Sequence, residues 1–162
     1  MSSPGILDTA LARVVPAGAW RVAVIGCRGM ENRALTLELV PGRFAVCRLD
    51  AGAPVPEWAA APAPFCSVTR TDEELSVVCA EPAVPPGARA EGGWRCLRVK
   101  GPLGFGLTGI LASLAVPLAS SGVSIFVVST YDTDYVMLQE RDLERAAHAL
   151  ERAGHALERG TA

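Results

Sequence analysis

Two apolar runs, "VSIFVVS" from Val123 and "YVMLQ" from Tyr135, are joined by only five residues, Thr130 to Asp134. A parallel crossover between neighbouring strands takes about a dozen residues or more, so the second run has to return beside the first as an antiparallel hairpin. From Phe105 to Ser121, Leu107, Ile110, Leu111, Leu114 and Leu118 recur at helical spacing on one face, with Pro117 as an expected kink and Gly122 as the stop. A strand, "WRCLRVK" from Trp94 to Lys100, precedes this helix. Leu143, Ala146, Ala147 and Leu150 mark a closing helix that Asp142 can cap. The second half therefore reads βαββα, an α+β arrangement in which the apolar stripe of the long helix must lie on the sheet.

The first half repeats this order more weakly. "LTLEL" alternates, "PG" at Pro41 and Gly42 predicts a turn, and "RFAVCRLD" gives a second strand. The prolines of "AGAPVPEWAAAPAP" leave room for one helical turn at most, and "FCSVTR" and "LSVVCA", joined by "TDEE", form a hairpin. The Pro- and Gly-rich stretch from Glu81 to Gly93 separates the halves. Laying "TDEELSVVC" over "YDTDYVMLQ" with a shift of 60 residues matches Asp72 with Asp132, Glu74 with Asp134 and Leu75 with Tyr135, and predicts an internal duplication with a degenerate first helix. The expected organisation is a partly mobile extension over 1–34 with one short strand at Arg21 to Ile25, a first unit over 35–86, a linker over 87–93, a second unit over 94–155 and a tail over 156–162. A unit of about 60 residues buries too little surface alone, so the two must share a core.

Charge and cysteine content narrow the setting. A net charge of −2 gives no electrostatic reason to seek nucleic acid or an anionic membrane. The most apolar stretch, Phe105 to Val128, is broken by glycines and a proline and reads as a helix then a strand, not as the span of about 20 residues a membrane requires. "VIGC", ending at Cys27, resembles a lipoprotein cleavage box, but Arg13 and Arg21 interrupt the apolar stretch such a signal needs. Cys27, Cys47, Cys66, Cys79 and Cys96 form no CxxC, and four of the five lie in strand-like runs, the pattern of buried reduced thiols in a cytoplasmic protein.

Residues Gly104 to Gly109 spell "GFGLTG", a literal GxGxxG between a strand and a helix with Asp132 further on, the outline of a dinucleotide fingerprint. The antiparallel return, and the 22 residues left after Glu140, deny it the rest of a nucleotide-binding half, and no cofactor is expected. The glycines either leave amides unhindered at a helix N-terminus, where a carboxylate can be held, or merely let the helix pack closely. Asp132 and Asp134 either pair with a ligand ammonium or cap the hairpin turn through side-chain to backbone bonds. They lack the histidine or further carboxylate that a metal shell or acid–base pair would need. His148 and His155, with Glu144 and Glu151 four residues before each, read as a solvated face of the closing helix. Ser129, Thr130 and the cysteines have no base at a motif spacing, so no catalytic residue and no metal are expected.

The segment "GPLGFGLTGILASLAVPLASSGVSIFVVSTYDTDYVMLQERDLERA" closely resembles the second unit of a small tandem ACT-domain family, CASTOR-like and related to the regulatory ACT domains of aspartate kinases. "FAVCRLD", "PEWA", "TRTDEELSVVC" and the tryptophan of "GGWRCLRV" resemble its first unit and linker, so the resemblance runs from about Leu35 to Leu150. It implies a ferredoxin-like fold, two units side by side with helices on one face of antiparallel sheets, and a regulatory, non-catalytic role in amino-acid sensing. Carried over by position, Gly106, Leu107, Thr108 and Gly109 would meet a ligand carboxylate, Asp132 or Asp134 beside Thr130 would meet its amino group, and Leu75, Ser76 and Val77 would close the cleft from the first unit. The implied partners are a small amino acid or related metabolite, a downstream protein, and a second copy of the chain in a homodimer. The chain departs from the pattern in its reduced first helix, in the residues before Leu35, and in the lack of a clear final strand, whose edge Leu35 to Val40 is expected to fill. The rival reading is a ligand-free interaction or oligomerisation module of the same fold; an oxidoreductase using the GxGxxG ranks last.

Overall fold

The expected reversal is present: Ile125–Ser129 (β5) pairs antiparallel with Asp134–Gln139 (β6), Ser129 opposite Asp134. In the computed structural model, which describes residues 33–159, these strands belong to one seven-stranded sheet with Thr36–Leu49 (β1), Ser67–Arg70 (β2), Leu75–Ala80 (β3), Ala90–Val99 (β4) and Ala156–Arg159 (β7). The order is β2-β3-β1-β4-β6-β5, with β7 beside the first residues of β1. Every pairing is antiparallel except that of β7 with β1. The helices are Ile110–Ser120 (α1) and Leu143–Arg152 (α2). None among the described residues is long and apolar enough to cross a membrane.

Strand alternation sorts the core by face. Leu37 and Leu97, with Val99, Val136 and Leu138, point to the side where Leu114 and Leu118 of α1 and Ala146 and Leu150 of α2 cover them. Further along the sheet, Cys47, Leu75, Val77 and Cys79 are covered by Ala59 and Trp58 of a single 3-10 turn, Glu57–Ala60, the one turn that the prolines permit. Phe44, Trp94, Cys96 and Met137 form a third cluster with Phe65.

Several expectations need correction. Pro41 and Gly42 do not reverse the chain. Gly42, at φ +93°, sits in a bulge where the register against β4 shifts between Val40 and Phe44, and "LTLEL" and "RFAVCRL" become one strand of 14 residues. Its first part lies against β4 of the second unit, Leu37 opposite Val99, which agrees with the expected placement of Leu35 to Val40. A final strand also exists: residues 156–159, expected to be a tail, form β7, Thr36 opposite Ala156. Residues 90–93, assigned to the linker, already belong to β4. The long helix starts only at Ile110, so Phe105, its expected first residue, and Leu107 of the expected stripe lie in the preceding loop and are exposed, and Leu111 of that stripe is exposed on the helix itself. Asp142 occupies the N-cap position of α2 without making a capping bond; its carboxylate pairs with Arg145 instead. The segment 1–32, with its possible strand at Arg21 to Ile25 and Cys27, lies outside the described residues, as do 160–162.

The duplication is real in outline but its register is 59, not 60. Leu75–Ala80 and Asp134–Gln139 are both six-residue strands, followed by 3-10 turns of three residues at Glu81–Ala83 and Glu140–Asp142, each pair 59 residues apart. Thr71 N–H donates to Glu74 O at 2.9 Å in one hairpin, and Thr130 N–H to Thr133 O at 2.8 Å in the other. Asp132 thus answers to Glu73, and Asp134 to Leu75.

Candidate functional site

Beyond β4 the chain runs through a loop, Lys100–Gly109, before α1 begins. Gly109, at φ +81°, takes the N-cap position in the left-handed region that glycine adopts without steric cost, and no side chain caps the helix. The N–H groups of the first helical turn have no intrahelical acceptor, which makes this end a seat for negative charge. Gly104 and Gly106 have open space where a side chain would stand, so neither is a point of close backbone approach.

The β5–β6 hairpin is fastened beside this loop by two bonds. Leu103 N–H donates to Asp132 O at 2.8 Å, and Thr133 Oγ1 to Val99 O at 2.5 Å. The turn itself is closed by Thr130, whose Oγ1 donates to Thr133 O at 2.8 Å and accepts from Thr133 N–H at 3.4 Å. The aspartates therefore do not do the capping. Asp134 is held otherwise, with Ser129 Oγ donating to its Oδ1 at 2.5 Å.

Two adjoining hollows result. One, of about 180 Å³, lies between Leu103, Gly104 and Phe105 on one side and Ser129, Thr130 and Asp134 on the other. The second, of about 280 Å³, is bounded by Gly106, Thr108, Gly109, Ser113 and Arg33. Leu107 and Ile110 line both. The rings of Phe105 and Tyr131 meet edge to face at 5.0 Å beside the first hollow, and both are nearly four-fifths exposed.

The structure thus brings Gly106, Leu107, Thr108, Gly109, Thr130 and Asp134 to two hollows with a common wall. Asp132 is exposed and does not line either; its contribution is the carbonyl that holds Leu103. Leu75, Ser76 and Val77 are elsewhere. β3 runs antiparallel to β1 and β1 antiparallel to β4, so the start of β3, Leu75 opposite Leu49, lies at the end of the sheet away from Val99 and Asp134. Leu75 and Val77 are also fully buried.

Two contributors escaped the sequence reading. Arg33 precedes the first recognisable strand, and nothing in its neighbours signals a position beside residue 109. It is held near there because His155 accepts the Leu35 N–H at Nδ1, 3.2 Å, while Nε2 stands 3.1 Å from Ser113 O. The amide donor requires a bare Nδ1, which puts the ring proton on Nε2 and makes Ser113 O its acceptor. His155 lies beyond the end of α2 and is 4% exposed, so it is not part of a solvated helix face. Glu144 does face solvent, where bidentate bonds from Arg159 hold its carboxyl below the usual range.

Among the described residues no group of three or more His, Cys, Asp or Glu side chains is placed to hold a metal. Cys47, Cys79 and Cys96 are buried thiols, and Cys66 is exposed. Burial pushes Cys96 up to about 12, and burial, followed by the neighbouring Cys47, does the same for Cys79. Such thiols are poor nucleophiles.

A family model described as an ACT domain matches residues 89–152, and a second model, of an N-terminal domain, matches 42–87. The cytosolic arginine sensor for mTORC1 subunit 1 of Bos taurus is 35% identical over 97 residues, covering 53% of this chain and 30% of the sensor. The chain therefore spans less than a third of that relative's length. A crystal structure of an Agobacterium tumefaciens protein is 39% identical, with a TM-score of 0.76, covering 80% of this chain and 96% of that one. The aspartate kinase of Clostridium acetobutylicum, 11% identical, shares the fold at a TM-score of 0.53 over 74% of this chain and 34% of the kinase.

Proposed function

We propose, because this chain belongs to the ACT-domain family, that it is a regulatory protein that binds a small amino acid or related metabolite at the start of α1 without turning it over. One observation carries this reading: Leu107 and Ile110 separate a hollow containing the Asp134 carboxylate from one containing the open amides of the α1 N-terminus and Arg33. A ligand lying over that wall would set its carboxylate against the amides and the guanidinium, and its ammonium against Asp134. Asp134 keeps Oδ2 free for this, since Ser129 engages Oδ1. The arginine-sensing relative supports an amino-acid ligand as a class.

Contacts from Leu75, Ser76 and Val77 to the same ligand would require a second copy of the chain, and of the three only Ser76 is not buried. Regulation follows if the ligand favours one arrangement of the loop and hairpin over another, and a downstream protein reads that difference. The cytoplasm is the compartment this reading expects.

Thermal-shift screening of the full chain against the twenty amino acids and common metabolites tests the proposal, because a ligand selective for the native state raises its melting temperature by mass action. The exposed Phe105 and Tyr131 favour one alternative, a ligand-free module that docks through that pair. A screen in which no compound shifts the protein would give that alternative precedence.

A further inference from the structure

We propose that the first unit carries the counterpart of this site with its own Arg70 bridging hairpin and loop, so that the gap left open between Ser129 and Leu103 in one unit is spanned by a guanidinium in the other. The strand registers define the correspondence. Arg70 pairs with Leu75 as Ser129 pairs with Asp134, each pair immediately before a hairpin closed by a threonine. Phe44 stands opposite Ala80 as Trp94 stands opposite Gln139, so the loop after β1 answers to the loop after β4, and Ala51 and Ala53 fall at the positions of Gly101 and Leu103.

In the second unit the residue at the end of the hairpin strand is a short serine, and the space between it and Leu103 is part of the open hollow. In the first unit the same place holds an arginine. Its guanidinium donates through Nη1 to Ala51 O and through Nη2 to Ala53 O at 2.7 Å, joining the hairpin to the loop. The planar fork reaches the two carbonyls from two separate nitrogens held in one plane, whereas an ammonium would have to present both donors from a single atom. Leu75, in place of Asp134, leaves no carboxylate for an ammonium. The vacated position is therefore specific for a guanidinium cation.

Truncating the side chain and returning its head group as a free ion tests this. Arg70 is exposed, so Arg70→Ala should fold; Arg70→Gln, which keeps part of the stem, serves as the second variant. Ethylguanidinium at ten times its dissociation constant is expected to raise the melting temperature of either variant by about 4 °C, with no such rise in the unaltered protein. Ethylammonium is expected to do nothing. Equal responses in altered and unaltered protein, or equal rescue by the two cations, would overturn the proposal. The reading of that bridge as the counterpart of a ligand site rests on the function proposed above. The rescue does not, since its probe is not an amino acid and its site is in the other unit, so the two can fail separately.

Discussion

Replacing His155 tests how the end of the chain is fastened to the helix that opens the site. In an α-helix the Ser113 carbonyl would accept the N–H of residue 117, but that residue is proline and has none. The Nε2–H of His155 supplies the missing donor at 3.1 Å, and its Nδ1 accepts the Leu35 N–H at 3.2 Å. His155→Ala leaves a buried donor and a helix carbonyl unpartnered at about 1–3 kcal/mol each. With the emptied volume, the expected loss of stability is about 3 kcal/mol. Pro117→Ala restores an N–H to the Ser113 carbonyl, which matters more when His155 is absent. Its benefit in the His155→Ala background should therefore exceed its benefit in the unaltered protein by about 1 kcal/mol. Urea unfolding of the four proteins completes the cycle. Additive effects within about 0.5 kcal/mol would refute the idea that histidine and proline share one carbonyl.

The other predictions concern the ligand and the thiols. For any amino acid found to bind, Asp134→Asn should weaken affinity by about 10- to 100-fold, the range of one charge-assisted bond, while Ser129 keeps an acceptor and the fold persists. Asp132→Asn should change affinity little by calorimetry, and the opposite ranking would move the site outward along the hairpin. Cys96 is held up to about 12 against the usual 9.0 by burial, so the folded protein keeps a proton that the unfolded chain gives up. Its contribution is intact below pH 9 and is lost as the pH climbs toward 12, by about 1 kcal/mol at pH 10. Cys96→Ala should flatten the fall of the urea midpoint between pH 8.5 and pH 10; an unchanged slope would contradict it.

Much of the fold was legible because it is written in short-range signals. Five residues between two apolar runs dictate a hairpin, and Leu114 and Leu118 announce the buried side of α1. What escaped depends on partners distant in sequence. Gly42 makes a bulge and not a turn because β4 runs along both sides of it, and "ALER" becomes a strand only because Thr36–Leu39 offers an edge. His155 shows no periodic signal, since its role is to join residues 35 and 113. The choice between Asp132 and Asp134 was equally out of reach. Strand pairing places Asp134 against Ser129 at the hollow, whereas Asp132 falls on the turn with its side chain exposed. The duplication was visible, but sliding it by one residue obscured the match between Ser129 and Arg70.

Nitrogen-15 amide spectra of the full chain, titrated with the amino acid that raises its melting temperature most, test the proposed site directly. Shift changes are expected to concentrate at Gly106–Ile110 and Ser129–Asp134, with Leu75–Val77 unmoved unless the protein dimerises as it binds. Changes confined to the far end of the sheet, around Arg48, Ser76 and Arg89, with the start of α1 silent, would contradict it.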